Sequence, residues 1–188
     1  MPEVPNLVHS AEALATAMRF ERSSIPEIGR LLAVLVAARP QGRCAEIGTG
    51  CGVGSAWIGD ALGPEGSLVT VELDPDRAAA ASRLFADSPN VRVLHGDWHE
   101  LLPPEAPFDL LFFDGGHWKR GDVPAESEQA LSLVAAGGVV LIDDLTPASL
   151  SPQEWRPVRD FWLGHDDLVA TELLTTPETS AIIAVRRR

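Results

Sequence analysis

The chain has 188 residues, 45% of them hydrophobic and 22% charged, the make-up of a globular protein of one-domain size, which excludes wholesale disorder. Its 27 acidic residues against 15 basic ones give a formal charge of -12, so the surface field repels phosphate backbones and anionic lipid, which argues against nucleic acid or a membrane as partner. The opening Met-Pro-Glu starts no secretory signal, and the apolar runs fall far short of the roughly 20 residues that span a bilayer, so the expectation is a cytoplasmic protein whose Cys44 and Cys51 are free thiols.

A helix is expected around Ala11 to Phe20, within an N-terminal helical extension over residues 1–24 that precedes the main domain, 25–188. Ser24-Ile25-Pro26-Glu27 has the shape of a capping box, and Ile28, Leu31, Leu32, Leu35 and Val36 follow at helical spacing until Pro40 and Gly42. From Arg43 the pattern changes to short apolar runs: Cys44 to Gly48, Leu68 to Leu73, Val91 to His95, Leu110 to Phe113 and Val139 to Ile142. Continuous apolar character suits parallel strands covered on both faces. Helical stretches lie between and after them, near Ser55 to Leu62, Pro75 to Phe85, Pro124 to Ala135 and Gln153 to Leu163. Strand alternating with helix predicts an α/β fold with a single doubly wound, Rossmann-like sheet. Leu168 to Thr175 and Ala181 to Val185 then read as a closing antiparallel hairpin.

Ligands of such sheets bind beyond the carboxyl ends of the strands, so the residues found there carry the chemistry. The first strand ends Glu46-Ile47-Gly48-Thr49-Gly50-Cys51-Gly52-Val53-Gly54, a loop whose backbone amides can approach a ligand at the next helix start. It fails the dinucleotide pattern, which needs its third small residue elsewhere. Glu72 ends the second strand at the spacing expected of a carboxylate that accepts ribose hydroxyls. Asp97 and Trp98 follow the third, as an acceptor for the adenine amino group and a stacking wall; the bland reading of Asp97 is a helix N-cap.

Glu46-x-Gly48-x-Gly50-x-Gly52, Glu72 and Gly96-Asp97 resemble, in order, the cofactor motifs of class I S-adenosylmethionine-dependent methyltransferases. The resemblance runs from about Ile25 to the C-terminus. It implies strand order 3-2-1-4-5-7-6 with the last strand antiparallel, and S-adenosyl-L-methionine as cofactor, held by Glu46, Gly48, Thr49, Gly50, Gly54, Glu72, Asp97 and Trp98. Phe113-Asp114-Gly115-Gly116-His117-Trp118-Lys119 is similar to the segment of metal-dependent, catechol-type O-methyltransferases in which the strand-end aspartate binds magnesium and the next strand gives an acidic pair. That similarity implies Asp114, Asp143 and Asp144 as ligands of Mg2+ or another hard divalent cation.

The Gly115-Gly116 insertion leaves the base open between Lys119 and His117. A metal-independent group of methyltransferases carries a similar Asp-Gly-x-His run, which implies His117 as base and Asp144 as a helix cap. The expected reaction is transfer of a methyl group to an oxygen of a small-molecule acceptor, a catechol or vicinal diol, by a protein whose resemblance favours a homodimer. A non-catalytic nucleoside-binding module and a nucleotide-linked oxidoreductase are the alternatives from other classes. His9, His95, His99 and His165 read as surface or local hydrogen-bonding groups, and Trp155 and Trp162, seven apart, as a packing face.

Overall fold

The computed structural model describes residues 4–116 and 118–187, so His117 lies outside the described residues. Fourteen regular elements follow one another: α1 Asn6–Ala17, α2 Pro26–Ala37, β1 Arg43–Ile47, α3 Val53–Ala61, β2 Ser67–Glu72, α4 Pro75–Leu84, β3 Val91–His95, α5 Trp98–Leu101, β4 Phe108–Phe113, α6 Val123–Ser132, β5 Val134–Leu145, α7 Arg156–Gly164, β6 Leu168–Leu174 and β7 Ser180–Arg186. The strands are ordered β3-β2-β1-β4-β5-β7-β6, as the family resemblance implies. No helix among the described residues is long and apolar enough to cross a membrane.

The chain divides into two compact units, Met1–Pro104 and Glu105–Arg188. In the first, β1 and β2 pair in parallel with Glu46 opposite Thr70, and β2 and β3 pair in parallel with Glu72 opposite His95. Nearly every residue of β1 and β2 is buried, which is why their sequences are unbroken apolar runs rather than alternations. On α2 the buried residues Ile28, Leu32 and Val36 recur every four positions, a one-sided apolar stripe, and the helix packs against α3, whose Trp57 ring lies over Gly29. Pro26 opens that helix, but Ile25 occupies the cap position and no side chain caps it. The Ser24 capping box is therefore corrected: the fixed φ of proline starts the turn where a hydroxyl cap was expected. The first helix begins at Asn6, five residues before its expected start, and is closed by Arg19 at φ 54°.

In the second unit β4 and β5 are parallel, whereas β7 runs antiparallel to both β5 and β6. Strand β5 starts at Val134 because that residue already pairs with Phe108, so the extension Val134–Gly138 replaces the end of the helix expected to reach Ala135. The predicted hairpin is present, and Thr176 Oγ1 accepts from the amides of Glu178 and Thr179 to close its turn. Trp162 on α7 is buried and donates its indole N–H to Ser127 Oγ at 3.1 Å, a packing role. Trp155 precedes that helix as its cap residue.

Candidate functional site

In the first unit, three glycines of the loop after β1 have left-handed backbone: φ is 99° at Gly48, 55° at Gly50 and 88° at Gly52. That conformation explains the alternate-residue spacing, since an L side chain there is strained. Space is short as well. A Cβ on Gly50 would lie 2.8 Å from the Phe20 ring, and one on Gly52 2.8 Å from the Phe85 ring. The amides of Gly48 and Thr49 donate to the Val71 carbonyl at 2.9 and 3.1 Å, tying the loop to β2.

Each acidic residue expected at this site has a defined partner set. Glu46 is buried and accepts from Thr70 Oγ1 at 2.6 Å and from Ser55 Oγ, so it fastens β2 and the start of α3 to β1. Thr49 Oγ1 lies 2.6 Å from Thr70 Oγ1 in the same buried network. Glu72 is 5% exposed. Its Oε2 accepts from the Gly50 amide at 2.7 Å, and its Oε1 accepts from the Asp74 amide and from an Arg77 Nη2, both at 2.9 Å. The strand-end carboxylate is thus locked against the glycine loop, and a lone pair remains on Oε2 for a ligand hydroxyl. Asp97 caps α5, accepting from the amide of His99 at 3.0 Å and facing its Nδ1 at 2.6 Å. The His99 amide, and next its ring, hold the Asp97 carboxyl below its ordinary range. Trp98 is largely buried and stacks on His99 with ring centroids 3.9 Å apart. Gly54 is buried in the first turn of α3.

Sequence reasoning missed Arg77 and Phe20. Arg77 lies in the first turn of α4, five residues past Glu72, a placement that could have been read from Pro75 opening that helix, and its guanidinium also lies 5.2 Å from the Phe20 ring centroid. Nothing in the sequence around Phe20 announces that its ring covers Gly50.

In the second unit, carboxylate oxygens of Asp114, Asp143 and Asp144 lie within 4.8 Å of one another. Neighbouring residues of a strand point to opposite faces, so Asp143 and Asp144 should diverge. They converge because Asp144 is left-handed, at φ 56°, where the β5–β7 register shifts between Ile142 and Leu145. Asp144 therefore sits in a strand bulge and caps no helix, which corrects the alternative reading. Lys119, in a short 3-10 turn and nearly buried, donates from Nζ to the Asp143 carbonyl at 2.6 Å. Trp118 stacks flat on Phe113, the residue before Asp114, with centroids 4.0 Å apart.

Asp143 is buried, and its Oδ1 has no hydrogen-bond partner among the described residues. Burial pushes its carboxyl up to about 6; the Lys119 charge opposes this, the Asp144 charge adds to it, and a hydrogen bond with Asp114 opposes it. Two carboxyl groups can share a hydrogen bond only through a proton. A buried, unpartnered carboxylate oxygen beside two further carboxylates also has the hard-oxygen chemistry that a divalent cation takes, so the residues fit such an ion.

The family profile described as "Methyltransferase domain" matches residues 45–145. The Mycobacterium tuberculosis protein Rv1220c, named a probable O-methyltransferase, is 29% identical over 123 residues, 62% of this chain and 54% of that protein. The chain thus spans about half the length of the curated relatives it matches. The O-methyltransferase TomG from Streptomyces achromogenes, involved in tomaymycin synthesis and solved with S-adenosylmethionine (SAM), is 26% identical, covers 99% of this chain and 92% of its own, and superposes with a TM-score of 0.79. The fold is shared with the O-methyltransferase from Bacillus cereus solved with S-adenosylhomocysteine (SAH), 22% identical, covering 100% and 93% of the two chains, TM-score 0.79. With the profile running from β1, which carries Glu46, through the Asp143–Asp144 bulge, this chain belongs to the methyltransferase-domain family.

Proposed function

We propose that the protein is an S-adenosylmethionine-dependent O-methyltransferase acting on a small molecule, a catechol or another vicinal dihydroxy acceptor, with a divalent cation at Asp114, Asp143 and Asp144. The observation that carries the oxygen-acceptor reading is the bulge that turns Asp143 and Asp144 toward Asp114, where a buried carboxylate oxygen has no partner among the described residues. The cofactor reading rests on the glycine loop locked to Glu72, and on SAM and SAH in the structures of similar O-methyltransferases.

When bound, the cofactor supplies an electrophilic methyl group, and a divalent ion lowers the pKa of an acceptor hydroxyl and orients it. The chain's residues do the rest. The glycine loop lets the nucleoside approach the backbone closely, Glu72 offers its remaining lone pair on Oε2 to a ribose hydroxyl, and Trp98 and Asp97 serve the adenine. The three aspartates orient the acceptor's oxygens, and Lys119 or His117 takes the hydroxyl proton as the oxygen attacks.

One observation favours the metal-independent alternative with His117 as base. Lys119 already places a cation against the Asp143 carbonyl, which offsets part of the cluster's charge and commits its Nζ to a hydrogen bond. The two readings part in one experiment: methyl transfer from labelled SAM to a panel of phenols, and melting curves, each with chelator and with millimolar magnesium, for wild type and Asp143→Ala. Magnesium should raise the wild-type melting temperature and turnover, and do neither for the variant. Wild-type protein that turns over acceptors and ignores both additions leaves His117 as base. Cofactor binding without turnover on any acceptor points to a nucleoside-binding module.

A further inference from the structure

Past the Asp143–Asp144 bulge, the second unit contains a largely buried ion pair that the proposed reaction does not use. Arg159 on α7 is 8% exposed. Its Nε and Nη2 reach the two carboxylate oxygens of Glu172 on β6, both at 2.8 Å. The same Nη2 donates to the carbonyl of Thr146, two residues after Asp144. Glu172 in turn takes the amide of Ala148, and its Oε1 lies 2.6 Å from Ser180 Oγ on β7. Ser180 is also the strand partner of Leu145, the first residue paired again after the register shift, and its Oγ lies 3.3 Å from the Leu145 carbonyl. On the other side of Asp144, Lys119 holds the Asp143 carbonyl.

A buried ion pair gains little over a well-packed apolar pair, because desolvation offsets the attraction; what it adds is direction. Here the direction is specific. The backbone that must hold Asp144 left-handed, and so keep two consecutive carboxylates on one side, is tied at residues 145, 146 and 148 by donors and acceptors from α7, β6 and β7. Left-handed backbone at a residue with a side chain is disfavoured and persists where its surroundings over-determine it.

We propose that Arg159, Glu172 and Ser180 are positioning residues that hold the Asp143–Asp144 bulge in the geometry its carboxylates need to bind a divalent cation. This rests on the cation reading above. Neither Arg159 nor Glu172 supplies a ligand; they act through the backbone of residues 145–148.

The test separates aim from stability. Arg159→Met alone leaves the part-buried Glu172 without its cation and lowers stability for that reason, whereas Arg159→Met with Glu172→Leu replaces the pair by apolar groups and should regain most of the melting temperature in chelator. Manganese affinity, read from the free-ion electron paramagnetic resonance signal, should nonetheless fall at least tenfold in the double variant, while SAH affinity stays within twofold of wild type. Val158→Ala, a buried neighbour on α7, should lose stability and keep manganese affinity. A double variant that binds manganese within twofold of wild type overturns the proposal. Should it not fold, Ser180→Ala decides in the same way: a loss of threefold or more supports the positioning role, and unchanged affinity overturns it. Wild-type protein that binds no manganese, or binds it as well after Asp143→Ala, removes the cation reading itself and this proposal with it.

Discussion

Glu72 concentrates the residue-scale argument. A carboxylate that served only a ligand could be removed with little effect on the fold, but this one also receives the Gly50 amide, the Asp74 amide and the Arg77 guanidinium. Glu72→Ala should therefore do two things. It should weaken SAM binding by ten- to a hundredfold, the loss of a charged acceptor worth about 1.5–3 kcal/mol. It should also lower the melting temperature, because buried donors lose their partner. Glu72→Gln, which keeps an acceptor oxygen but offers Arg77 no charge, should fall between the two. Titration calorimetry and melting curves of the three proteins check this, and unchanged cofactor affinity in Glu72→Ala would remove the ribose assignment.

At the scale of elements, two tests follow from the loop after β1 and from the α7–β6 pair. Gly52→Ala puts a side chain at φ 88° against Phe85. The conformation alone costs roughly 1–2 kcal/mol, or about 2–8 °C in a domain of this size. The Phe85 contact adds to that, so a variant that melts with wild type would show that the loop is not held as described. The Arg159 hydrogen bonds hold the Glu172 carboxyl below its ordinary range, and the bond from Ser180 acts in the same direction. A depressed acid stabilises the fold above its unfolded-state value of 4.5 and loses that contribution as pH falls through the folded-state value. The stability difference between wild type and Glu172→Gln should therefore be full at neutral pH and shrink below about 4.5. A difference that stays constant down to pH 3 would mean the ion pair contributes nothing through its charge.

The elements also show what a sequence reveals and what it hides. Strands β1 and β2 were legible because burial on both faces forces unbroken apolar runs, and the glycine loop because three left-handed positions demand glycine. The start of β5 was not, since Val134-Ala135-Ala136 continues a helical composition and only pairing with Phe108 makes it extended. The acidic residues were readable as types at strand ends, but not the bulge that turns Asp144 beside Asp143. Nor was the ion pair between Arg159 and Glu172, because residues 13 apart in sequence meet only once α7 packs on β6.

For the molecule as a whole, strand order and membership of the methyltransferase-domain family support the proposed methyl transfer to oxygen. A ligand that binds only the folded state must stabilise it, so SAH at about a hundred times its dissociation constant should add roughly 2.7 kcal/mol, a melting shift of about 5–11 °C. Glu72→Ala at the same ligand concentration should show a markedly smaller shift. Binding alone does not establish the chemistry. The most direct measurement incubates wild-type protein and magnesium with SAM carrying a deuterated methyl group and a catechol acceptor, then locates the label in the product by mass spectrometry and NMR. The account predicts one deuterated methyl on a phenolic oxygen, equimolar SAH, and loss of the product in Asp143→Ala; label recovered on nitrogen or carbon, or SAH formed without a methylated acceptor, would contradict it.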